Sequence, residues 1–157
     1  RFPATLIRQG VTTKPDFDTT NLALLFPEND ETEIAYMIAQ MPHAWKEASP
    51  VNPHVHVRLT QAGQPVFVME YKWYNPSGDT VPTTWSEYRM TANTATWSTG
   101  TLSNMIYGAE PLDATGKEES SILLIKLYRE TGDGYSGDVL FDEFDIHHLV
   151  EKFGKDV

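Results

Sequence analysis

At 157 residues and 17.7 kDa the chain has the size of one compact domain. It contains no cysteine, which excludes disulfides, thiol nucleophiles, iron–sulfur clusters and cysteine-ligated zinc. Twenty-two acidic residues against 12 basic ones give a formal charge of −10, which argues against general nucleic-acid binding, where lysine and arginine must replace phosphate counterions.

Residues 1–20 hold few apolar side chains and two prolines, Pro3 and Pro15, and read as an extended N-terminal arm of the kind that packs on a neighbouring subunit. The opening Arg1-Phe2-Pro3, without methionine, fits a trimmed start and a module of a longer polypeptide equally. Residues 21–157 read as a single domain. Its longest apolar runs, Asn21 to Phe26 and Ile122 to Ile125, fall far short of the roughly 18 residues of a spanning helix, so no membrane insertion is expected, and no stretch reads as a signal peptide. Glu33 to Met41 is apolar on both parities and predicts a strand buried on both faces. His54 to Thr60 alternates, with Val55, Val57 and Leu59 opposite His54, His56, Arg58 and Thr60. After the Gly63-Gln64-Pro65 turn, Val66 to Tyr74 sets Phe67, Met69, Tyr71 and Trp73 against Glu70 and Lys72. These two strands are expected to form a hairpin.

Trp85 to Met90, Ala92 to Trp97 and Leu102 to Tyr107 read as shorter strands. Ser121 to Glu130 alternates again. Thr131-Gly132-Asp133-Gly134 turns the chain; the oxygens from Asp133 to Asp138 depart from the EF-hand pattern and read as a plain acidic turn. The last strand, Asp138 to His147, places Val139, Phe141, Glu143, Asp145 and His147 on one parity, and His148 to Phe153 suggests a terminal helical turn. No long 3.6-residue stripe occurs. About eight short strands joined by turns predict an all-β, antiparallel β-sandwich of jelly-roll type.

The five histidines carry the most chemical information. His54 and His56, two apart on a strand, present both imidazoles on one face about 7 Å apart. With His147, and with Glu70 from the adjoining hairpin strand, they make a candidate metal set. Cupins share an H-x-H strand, but they carry a glycine upstream and a glutamate shortly after, where this chain has Asn52-Pro53 and Thr60-Gln61. The other expectation is a polar inter-strand or inter-subunit layer built from His43, His54, His56, Arg58, Glu143, Asp145 and His147. Trp85, Trp97 and Tyr107, set among serine, threonine and asparagine, are candidate glycan contacts. No G-x-S-x-G elbow, H-E-x-x-H motif or phosphate-binding loop occurs, so no catalytic residue, no enzyme activity and no cofactor are expected.

Three segments carry a resemblance. Gln40-Met41-Pro42-His43-Ala44-Trp45-Lys46 followed by Pro53-His54-Val55-His56 resembles a pattern of small tailed-bacteriophage proteins. Ser121 to Arg129 and then Gly137-Asp138-Val139-Leu140 with Glu143 to His147 continue it in the same order, although Val57 stands where tryptophan is common. The family comprises head-decoration, head-fibre and tail-associated virion proteins. The resemblance implies a homotrimeric jelly roll on the outer surface of a phage particle, contacting other capsid or tail proteins and presenting a surface for attachment, including to host glycans. It implies no catalytic residues.

Overall fold

The computed structural model describes residues 1–92 and 102–151. Its elements are β1 (Phe2–Pro3), a 3-10 turn (Ala4–Leu6), β2 (Arg8–Gln9), β3 (Asp16–Asp18), β4 (Ala23–Phe26), β5 (Ala35–Gln40), β6 (Val51–Leu59), β7 (Val66–Tyr74), β8 (Ser86–Ala92), β9 (Leu102–Tyr107), β10 (Ile122–Arg129) and β11 (Val139–His148). Among the described residues there is no α-helix, and hence none long and apolar enough to cross a membrane. Every strand pairing is antiparallel, and the order runs β2-β5-β10-β7-β8-β9-β6-β11-β4-β3, with β1 also on β11. The fold is therefore the expected all-β antiparallel sandwich of jelly-roll type. One continuous sheet curls on itself, linked between layers where Thr91 and Ala92 meet Tyr107 and Ile106.

Alternation explains the two layers. On one side β5 turns Ala35, Met37 and Ala39 inward, β10 turns Leu123, Ile125 and Leu127, and β7 turns Phe67, Met69 and Trp73. Facing them are Val55, Val57 and Leu59 of β6, Val139, Phe141 and Phe144 of β11, and Leu24 and Phe26 of β4. Phe26, Phe67 and Phe141 interlock across the gap, with ring centroids 5.2 to 6.1 Å apart. Each buried phenyl contributes roughly 1.5–3 kcal/mol relative to exposure.

Arg129 shares the inward parity of β10 and is only 1% exposed. Its guanidinium meets Asp133 side on, Nε to Oδ2 at 2.7 Å and Nη2 to Oδ1 at 2.8 Å. It also donates to the carbonyls of Phe26, Tyr135 and Gly137. Asp133 accepts further from the Val66 and Tyr135 amides. The acidic turn is thus one half of a buried ion pair that ties three loops to the end of the sandwich.

Four expectations need correction. The strands β6 and β7 do not form a hairpin: β6 is flanked by β9 and β11, β7 by β8 and β10. Both strands have an apolar face, and the two faces meet across the core rather than side by side. The connection crosses between layers and pairs with the 131–137 loop through Gln64 and Gly134. Gly63 (φ 150°) is required there, since a Cβ would sit 2.5 Å from the Gly134 carbonyl oxygen. The strand β5 is buried on one face only, because Tyr36 and Ile38 point outward. The single parity expected for the last strand is broken by a β-bulge between Phe141 and Glu143. No helical turn begins at His148, which ends β11, while Val150 bridges to Trp45.

Residues 1–20 are tied to their own chain. β1 pairs with β11, β2 with β5 and β3 with β4, and Ala4 and Ile7 are buried. The outermost strands of the sheet, β2 and β3, have two and three residues, which leaves little edge open to further strand pairing.

Candidate functional site: a histidine–carboxylate face

The bulge in β11 determines the site. Before it, Val139 and Phe141 point into the core; after it, Phe144 does, so Glu143, Asp145 and His147 turn to the outer face. Register then sets Glu143 opposite His56 and Asp145 opposite His54. On the other flank of β6, Met105 and Tyr107 of β9 lie opposite the same two histidines. Pro53 is accommodated in β6 because the pairing with β9 starts only at His54.

His54 is 2% exposed and Asp145 6%. Nδ1 of His54 lies 3.2 Å from the Asn52 carbonyl, and its Nε2 lies 3.1 Å from Nε2 of His56. A carbonyl only accepts, so Nδ1 of His54 carries the proton. Burial lowers the pKa of His54, with His147 and His56 adding to it, so the ring is neutral and Nε2 presents a lone pair to His56. The His147 ring stands edge-on to His54 at 4.3 Å. Its Nε2 is 3.7 Å from Asp145, and His56 Nε2 is 3.7 Å from Glu143.

Burial raises the pKa of Asp145, but the hydrogen bond from the Ile146 amide, with positive charge nearby, outweighs it, so the net shift is downward. The Arg1 side chain caps the cluster, 3.1 Å from Asp145 and 3.7 Å from Glu143. His54, Asp145 and His147 each offer a ligand atom within 4.8 Å of the others, as do His56, Glu143 and Asp145.

Of the residues expected to act together, His54, His56, Glu143, Asp145 and His147 are assembled. Arg58 lies on the same strand face but is taken up by Asp142 at the bulge, at 2.7 and 3.0 Å, and by the Asn21 carbonyl. His43 lies in the turn after β5, against the Ser120 hydroxyl. Glu70 is on the other layer, paired with Lys126 at 2.9 Å, and does not join the histidines. A cupin-type set is therefore not formed, and the histidines face outward rather than into the sandwich. The roles of Arg1 and Asp142 were not anticipated. The signal for Asp142 was present in the spacing, since apolar residues step by three from Phe141 to Phe144.

The aromatic candidates separate. Trp85 sits on the other layer, with Lys126 and Lys72 over its ring at 4.1 and 4.9 Å. Tyr107 is beside His54, and Trp97 lies outside the described residues. Trp85 instead lines a groove of about 500 Å3 on the outer face of β5 and β10, with Phe2, Leu6, Tyr36, Ile38 and Leu124. Leu6 is 79% exposed and Ile38 66%. Compared with protein-family models, curated proteins and solved structures, the chain matches none.

Proposed function

We propose that the chain is a non-enzymatic structural module of a bacteriophage particle, a homotrimer on the outer surface that reinforces the virion or presents an attachment surface. The observation that carries this reading is the apolar groove on the outer face of β5 and β10. Exposed isoleucine, leucine and tyrosine on a sheet face suit protein contact, and burying them offsets the cost of leaving them in water. A second copy of the chain fits the groove by charge as well. Arg8 lines it, and Lys72 lies over the ring of Trp85 at its edge, in a molecule whose net charge is −10. The histidine–carboxylate face bonds β6 to β11 within the chain, which fixes their register. Three chains at −10 each carry −30, which suits an outer, solvent-facing position better than contact with packaged DNA. The phage assignment comes from the resemblance of the three sequence segments.

Light scattering on the full chain tests the assembly. A trimer gives about 53 kDa, three times 17.7 kDa. Ile38→Asp is expected to leave the fold intact, because the side chain is 66% exposed, and to reduce the mass to that of one chain. A wild-type mass of one chain at high concentration overturns the trimer.

A further inference from the structure

We propose that His54, Asp145 and His147 bind a divalent transition ion of the zinc class on the outer face of β6 and β11. The donor chemistry is right: two imidazoles and one carboxylate suit zinc and its neighbours, whereas calcium and magnesium prefer oxygen alone.

The three ligand atoms lie within 4.8 Å of one another before any ion enters. Zinc bonds of about 2.0–2.1 Å place neighbouring ligand atoms of a tetrahedron about 3.3 Å apart. Asp145 and His147 already approach to 3.7 Å. His54 has the arrangement of a ligand already oriented. Its Nδ1 proton is held by the Asn52 carbonyl, which directs the Nε2 lone pair at the cluster. Burial of His54 and Asp145 fixes two donors, while His147, with its side chain 61% exposed, can adjust.

Charge favours the same occupant. Asp145 lies in the site and Glu143 beside it, and a divalent cation balances two carboxylates. In the absence of an ion Arg1 supplies part of that charge. Its side chain is 69% exposed and pairs with the two carboxylates at the surface, so an ion displaces it at little cost. The ion would then clip β6 to β11. The site lies within one chain and is independent of the proposed trimer.

Chelator-treated full-length protein titrated with Zn2+ against a chromophoric chelator, and with Co2+ in the visible range, tests this. One ion per chain and the intense absorption of tetrahedral Co2+ are expected. His147→Ala, exposed and without consequence for the core, and Asp145→Asn are each expected to weaken Zn2+ binding by at least the 10–100-fold that loss of a mere supporting residue costs. His43→Ala is expected to bind as the parent does. The Ile38→Asp variant is expected to keep the site, which separates this claim from the assembly. Absence of stoichiometric Zn2+ binding overturns the proposal. So does binding that His147→Ala and Asp145→Asn leave unchanged while circular dichroism shows both folded.

Discussion

Replacing Arg129 by methionine removes the charged half of the most buried ion pair in the molecule. The two side chains are each 1% exposed. Methionine retains the apolar stem but donates nothing. The substitution therefore loses the two-point contact with Asp133 and leaves the carbonyls of Phe26, Tyr135 and Gly137 without that donor. Asp133 keeps the Val66 and Tyr135 amides at 3.0 and 3.1 Å, which soften the loss without replacing the countercharge. Breaking a buried pair from one side costs about 3–5 kcal/mol. A domain of this size has about 5–15 kcal/mol in total, so the variant is expected to be folded but much weakened. Urea unfolding followed by tryptophan fluorescence, at one fixed protein concentration, reads this as a lower midpoint at unchanged slope. Asp133→Ala is expected to cost a similar amount. The double variant is expected to cost less than the sum of the two, by about 0.5–3 kcal/mol, because the second deletion removes a charge already stranded. A loss below about 1 kcal/mol for Arg129→Met, or strict additivity, would refute the reasoning.

Other outcomes follow from individual side chains. Trp45 and Trp73 pack against each other at 6.0 Å, but Trp73 donates to Ser121 whereas the buried Trp45 Nε1 has no hydrogen-bond partner among the described residues. Trp45→Phe is therefore expected to cost about 1 kcal/mol less than Trp73→Phe in the same urea assay, since it removes an unpaired buried N–H; equal costs would contradict this. Glu31 accepts from the amide and hydroxyl of Thr131, and these bonds hold its carboxyl below the ordinary value of 4.5 despite slight desolvation. A lowered folded-state pKa stabilises above the unfolded value, and that stability is lost as pH falls through the folded one. Glu31→Ala is thus expected to lose less than about 1 kcal/mol at pH 7, because the group is exposed, and to converge on the parent as the pH falls through the lowered pKa of Glu31. A gap that persists in acid would point to another cause.

How far the sequence determines this fold is clearest at three places. The alternation of Val55, Val57 and Leu59 against His54 and His56 fixed both the inward face of β6 and the outward face of the site. The same alternation in β10 identified Leu123, Ile125 and Leu127 as core. Partner choice was not legible. A strand pattern specifies which face is apolar, not which edge meets which neighbour, so β6 and β7 were paired as a hairpin when they belong to opposite layers. Glu70 was placed beside the histidines for the same reason. β5 looked buried twice over because Tyr36 and Ile38 are apolar, and an apolar outer face is indistinguishable from a second core face until the layers are known. Arg129 was hidden by its type: a charged residue on an inward parity signals a buried partner, and Asp133 stood four residues on.

The central claim is that this chain is part of a phage particle. Quantitative mass spectrometry of density-purified phage particles, from lysates of cells that produce the chain, tests that claim most directly. The account predicts peptides of this chain in the particle band, at a copy number divisible by three. Their absence from purified particles, with the chain abundant in the free fraction of the infected lysate, would contradict it.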